Sequence, residues 1–84
     1  MKIYILYDCV ESAYEWAYAG VENIYLSREE ATTKMKELYE ECLKEHQADD
    51  QDSQNDTYLN GWDARVADVP AGFRHTWTIT EREL

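Results

Sequence analysis

The 84-residue sequence predicts an α+β fold, ββαββ in order, with one helix packed across one face of a four-stranded, mainly antiparallel sheet. Three observations carry this expectation. Alternation with a period of two marks both ends of the chain, a single stripe with a period near 3.6 occupies its middle, and a turn signal divides the last two alternating runs.

Residues 2–8, KIYILYD, set Ile3, Ile5 and Tyr7 on one face and Tyr4 and Leu6 on the other. Apolar side chains on both faces, in a run rich in β-branched and aromatic types, predict a central strand. Residues 21–26, VENIYL, form a second short strand in the same manner. Between them CVESAYEWAYAG is ambiguous. Tyr14, Trp16 and Tyr18 alternate as a strand would, yet Val10 to Ala19 contains no Pro or Gly that would forbid a helical turn. The preferred reading is an extended or looped arm closing near Gly20.

Ser27-Arg28-Glu29-Glu30 is a capping box, in which the Ser hydroxyl accepts from the N3 amide and Glu30 reaches back to the Ser amide. The helix it starts should run to about His46. Ala31, Met35, Leu38, Tyr39 and Cys42 form its core stripe. Glu29 and Glu30 at the N-terminus and Lys44 near the C-terminus suit the helix dipole. Residues 47–57 follow as a polar, acidic loop. In YLNGWDARVADV, Trp62, Ala64 and Val66 alternate with Asp63 and Arg65, as in a strand with one wet face. Pro70-Ala71-Gly72 predicts a turn, and Phe73, His75, Trp77 and Ile79 then alternate with Arg74, Thr76, Thr78 and Thr80. The last two strands should form a hairpin. The reading is one domain over residues 1–84, with no repeat and no linker.

A chain of this length sits near the limit at which one core holds a fold, so seven Tyr, three Trp and one Phe must supply much of the filling. That aromatic content also argues against a disordered acidic chain. The formal net charge is −10, which repels phosphate and attracts basic partners. Direct binding to nucleic acid or to an anionic membrane is therefore not expected. The apolar run that opens the chain stops at Asp8, shorter than a signal peptide requires and far below the ~20 residues of a membrane span. A cytoplasmic protein is expected.

No chemistry-bearing motif emerges. Cys9 and Cys42 have neither a CxxC nor a metal spacing, and read as reduced small hydrophobes. His75 reads as a satisfied, half-buried sheet residue. Nothing in the spacing selects a nucleophile, a base and an orienting acid, so neither an enzyme nor a cofactor is expected. Asp49, Asp50, Asp52 and Asp56 are rich in oxygen, but an EF-hand counted from Asp50 would have Gly61, not Glu, at its last position.

Glu45 to Asp56 contains five acids and no Lys or Arg. Glu37, Glu41 and Glu45 recur at i, i+4, where like charges cost a few tenths of a kcal/mol per pair (about 0.2–0.5). Stability does not call for them. The functional reading is an acidic row running into the Asp49, Asp50, Asp52 and Asp56 segment to meet a basic groove; the alternative is a solvated face. Tyr14, Trp16 and Tyr18 are a second candidate, as an aromatic hot spot; the alternative for them, slightly preferred, is core packing on the sheet edge.

At MKIYILYD, VENIYLSREEATTKMKEL and WTITEREL the chain resembles a loose group of small proteins of bacteriophages and mobile elements. Their pattern is a strand beginning M-K-x-Y, a strand leading into S-[RK]-E-E-A and a helix, and a closing strand with an acidic end. The resemblance covers about half of the chain and carries over no catalytic residues. It implies a bacterial host cell, and an analogy with small acidic phage inhibitors, anti-CRISPR proteins among them, that occupy basic nucleic-acid channels. The expected function is thus a non-enzymatic nucleic-acid mimic whose partner is a CRISPR effector or another nucleic-acid-processing protein. The alternative is a small assembly domain that homodimerises through a sheet edge or the aromatic arm.

Overall fold

A computed structural model describes residues 1–12, 17–46 and 48–84. The first strand, β1 (Lys2–Ser12), is central: β2 (Ala17–Tyr25) pairs antiparallel on one side of it and β5 (Phe73–Glu83) on the other. Apolar groups on both faces of β1 are thereby explained, since Leu6 is fully buried on one face while Ile3, Ile5 and Tyr7 are partly covered on the other. Both strands of this first pair are longer than 2–8 and 21–26. The arm expected between them is largely extended, although Tyr14 and Trp16 lie outside the described residues.

The helix α1 (Arg28–Glu45) begins where the capping signature places it, with Ser27 Oγ accepting from the Glu30 amide at 3.2 Å. It ends at His46, whose amide donates to the Cys42 carbonyl. Ala31, Met35 and Cys42 are buried and Leu38 and Tyr39 pack against them, which is the expected stripe. Lys34 lies 3.9 Å from Glu37, one turn onward.

Two expectations need correction. Residues 47–57 are not wholly a loop, because they contain a second helix, α2 (Gln51–Asp56). Its N-cap is Asp50, whose carboxylate accepts from the Ser53 amide at 3.0 Å. The four-stranded sheet is in fact five-stranded. The segment read as one strand is divided into β3 (Tyr58–Leu59) and β4 (Asp63–Asp68), giving the strand order β2-β1-β5-β4-β3. Asn60-Gly61 is the cause, a turn dipeptide closed by the Asn60 amide donating to the Asp63 carbonyl at 2.8 Å. Trp62 consequently leaves the apolar row: it lies outside β4, is 41% exposed, and carries the Arg28 guanidinium 4.0 Å above its ring.

The β4–β5 hairpin turns at Gly72, whose φ of 69° is the left-handed conformation that glycine adopts without strain. Register then fixes the core. Leu6 faces Ile79, and Trp77 faces Asp8 on β1 and Ala64 on β4. Leu6, Ala64, Val66, Trp77 and Ile79 therefore share the face that α1 covers, and with Ala31, Met35 and Cys42 they make one core. The opposite face carries Ile5, Tyr7, Cys9, Thr76 and Thr78, opened further by Val21 and Ile24 of β2, each 54% exposed.

Candidate functional site

The acidic row stands on the solvent side of α1. Glu37, Glu41 and Glu45 are all exposed, each about 6 Å farther along the axis than the last. Asp49 and Asp52 are exposed beyond the end of that helix. Among the described residues, Glu37 with Lys34 is the one ion pair in this row.

Asp50 and Asp56 are placed differently. Asp50 is engaged as the α2 cap, and the hydrogen bonds from Ser53 hold its carboxyl below the usual carboxylate range. Asp56 bridges two strands, accepting from Arg65 of β4 at 2.8 Å and from Arg74 of β5. The Arg74 hydrogen bond, with Arg65 behind it, pulls the Asp56 carboxyl below its ordinary value despite partial burial. The same contact raises the Arg65 guanidinium. Of the seven acids read as a row, five are therefore exposed, Glu37 among them beside Lys34, while Asp50 caps α2 and Asp56 ties that helix to the sheet.

Tyr18 is 56% exposed on β2, and its ring lies over Gly20, where an added Cβ would come within 2.7 Å of the Tyr18 hydroxyl. Tyr14 and Trp16, expected beside it, lie outside the described residues.

His75 adjoins Trp77, with ring centroids 4.0 Å apart and an interplanar angle of 20°. Its Nε2 comes within 3.4 Å of Asp8 Oδ2, inside ion-pair range, but the geometry makes no hydrogen bond, and among the described residues this buried nitrogen has no hydrogen-bond partner. The expectation of a satisfied histidine is thus corrected. Burial lowers the His75 pKa, and the Asp8 carboxylate opposes that effect only in part. The pairing was illegible in the sequence because it depends on β1 and β5 lying side by side, 67 residues apart.

A cavity of about 380 Å³ lies between the end of α1 and α2, lined by Tyr39, Leu43, His46, Asp49, Gln54 and Thr57. Its size would admit a small molecule, but it holds a single carboxylate, and His46 is stacked on Phe73 at 4.0 Å rather than aimed at an acid. The Cys42 thiol is pushed up to about 11 by burial and then by Glu45, so it stays protonated and unreactive. Among the described residues no three His, Cys, Asp or Glu side chains gather as a metal would require. Among the described residues no helix is long and apolar enough to cross a membrane.

The described surface thus displays a row of carboxylates along α1 and half-exposed apolar groups on the far face of the sheet. Comparison with protein-family models, with characterised proteins and with solved structures finds no match to this chain.

Proposed function

We propose that this protein is a non-enzymatic inhibitor that presents Glu37, Glu41, Glu45, Asp49 and Asp52 to the basic, phosphate-binding surface of a nucleic-acid-processing protein. The observation that carries the reading is the uneven placement of charge. Residues 28–56 hold ten acids against four bases, a net of −6 out of the chain's −10. A surface that binds nucleic acid is lined with Lys and Arg, because its affinity comes mainly from phosphate contacts. A fixed row of carboxylates competes for those cations. Charge complementarity of this kind acts mostly on the association rate and is screened by salt.

The test is competition. A CRISPR effector, the first target class to try, would be titrated with this protein in the presence of labelled guide RNA or target DNA. Displacement that weakens roughly tenfold or more from about 50 to 200 mM salt is expected, and so is its loss in the Glu37→Lys, Glu41→Lys, Glu45→Lys variant. Asp50 and Asp56 are left intact there, so that α2 is not undone. Unaltered displacement by the reversed variant would sink the proposal.

A further inference from the structure

The two edges of the sheet are finished very differently. At one end β3 is two residues long, and the backbone beyond it is capped by side chains: Ser53 Oγ accepts from the Val69 amide at 2.8 Å and Thr57 Oγ1 from the Ala67 amide at 3.1 Å. That edge offers another strand only the two residues of β3. At the other end β2 offers nine residues, all exposed except Gly20 and Tyr25, with no strand on its outer side among the described residues. Natural edges are commonly protected by Lys, by Pro or by a bulge. AYAGVENIY contains neither Lys nor Pro, and its single charge, Glu22, falls at the irregularity where Asn23 faces Leu6 but Val21 faces Tyr7. The bulge thus leaves Ala17–Val21 as a regular, uncharged run on a chain of net charge −10.

We infer that this run pairs antiparallel with the same run of a second copy of the chain, about a two-fold axis at Ala19. Unpaired backbone donors and acceptors in a row are completed by another strand, and three features favour an identical one. First, a two-fold at Ala19 sets Tyr18 opposite Gly20 of the partner, and the reverse. The ring that now covers Gly20 of its own strand would have a second glycine to cover, the cross-strand aromatic–glycine contact that steadies edge glycines. Second, Ala17, Ala19 and Gly20 are small enough not to obstruct the approach of the two backbones. Third, Glu22 lies outside the paired run, so the two carboxylates do not oppose each other, as like charges directly across a ladder would. Val21 and Ile24, half exposed on the sheet face, would lie beside the seam.

Five residues a side make a small interface, so the dimer should be weak and should form on the order of tens to hundreds of micromolar. Its salt response is opposite to that of the acidic row: salt screens repulsion between two acidic chains and should strengthen the pair. Sedimentation equilibrium on the full chain, from about 10 µM to about 1 mM and at about 0.1 and 0.5 M salt, reads this directly. The expected result is a mass rising from 9.9 kDa towards twice that, more readily at high salt. Ala19→Glu, which opposes two carboxylates at the axis, should stay monomeric, while Glu41→Lys with Glu45→Lys should not. Should Ala19→Glu fail to fold, amide exchange on the natural chain replaces it: exchange within residues 17–21 should slow as concentration rises. A monomer throughout at high salt, a dimer undisturbed by Ala19→Glu in its folded form, or exchange in 17–21 independent of concentration would each overturn the inference.

Discussion

Asp56 shows how a carboxylate that reads as surface charge can be structural. It is the one acid that ties α2 to both strands of the β4–β5 hairpin, through Arg65 and Arg74. Asp56→Asn should cost about 1–3 kcal/mol at neutral pH, since two half-covered guanidinium groups lose their charged partner, and urea unfolding will measure it. Because the folded-state pKa of Asp56 lies below the unfolded carboxyl value of about 3.9, its contribution is present above that value and is lost as pH falls through the folded one. The difference between the natural chain and the variant should therefore shrink as the pH is lowered below about 3.9. His75 titrates in a different window. Burial depresses its folded pKa below the unfolded value of about 6.5, so stability is full above that pH and declines as the solution is acidified through the depressed value. His75→Gln should flatten the fall of the unfolding midpoint as the solution is acidified below about pH 6.5; an unchanged slope there would mean that the Asp8 carboxylate compensates burial fully.

Among elements, α2 depends most on its surroundings. Six residues are too few to form a helix alone in water; the Asp50 cap, the Asp56 bridges and the buried Ser53 hydroxyl supply what length does not. Ser53→Ala would strip the Val69 amide of its acceptor and should cost about 1–3 kcal/mol, with exchange of the Val69 amide rising in step. Its effect should exceed that of Ser27→Ala, which removes an exposed α1 cap at about 1 kcal/mol. In the sheet, Trp77 is 2% exposed and meets both neighbouring strands, so Trp77→Ala should cost roughly 3–5 kcal/mol.

Over the whole molecule residues 28–56 carry ten of the eighteen acids, whereas Arg82 shares the open sheet face with Ile5, Val21 and Ile24, and Arg65 and Arg74 on that face are taken up by Asp56. A chain this acidic repels itself. Its thermal midpoint should accordingly rise by several degrees between about 10 mM and 0.5 M salt, as differential scanning calorimetry will show. Binding of a basic partner by the helix row should weaken over the same range. Stability and acidic-row affinity thus move in opposite directions with salt, and a protein whose affinity instead rose in parallel with stability would be using the open sheet rather than the helix.

What the sequence determined by itself was local. Ser27 with Glu30 fixed where α1 starts, the stripe from Ala31 to Cys42 fixed which side is buried, and strict alternation gave β5 its inner face, because each is a matter of neighbours within a turn or a pleat. The Asn60-Gly61 turn that divides β3 from β4 was equally local and could have been found there. Tertiary structure alone decided which acids stay free and which sheet edge stays open. Asp56 meets Arg65 and Arg74, Ser53 meets Val69 and His75 nears Asp8 only after β5 has been laid between β1 and β4. Such pairings join residues far apart in the chain, and no period in the sequence records them. The same placement leaves β2 outermost: a strand carries its own alternation, but whether anything lies beside it depends on every other strand.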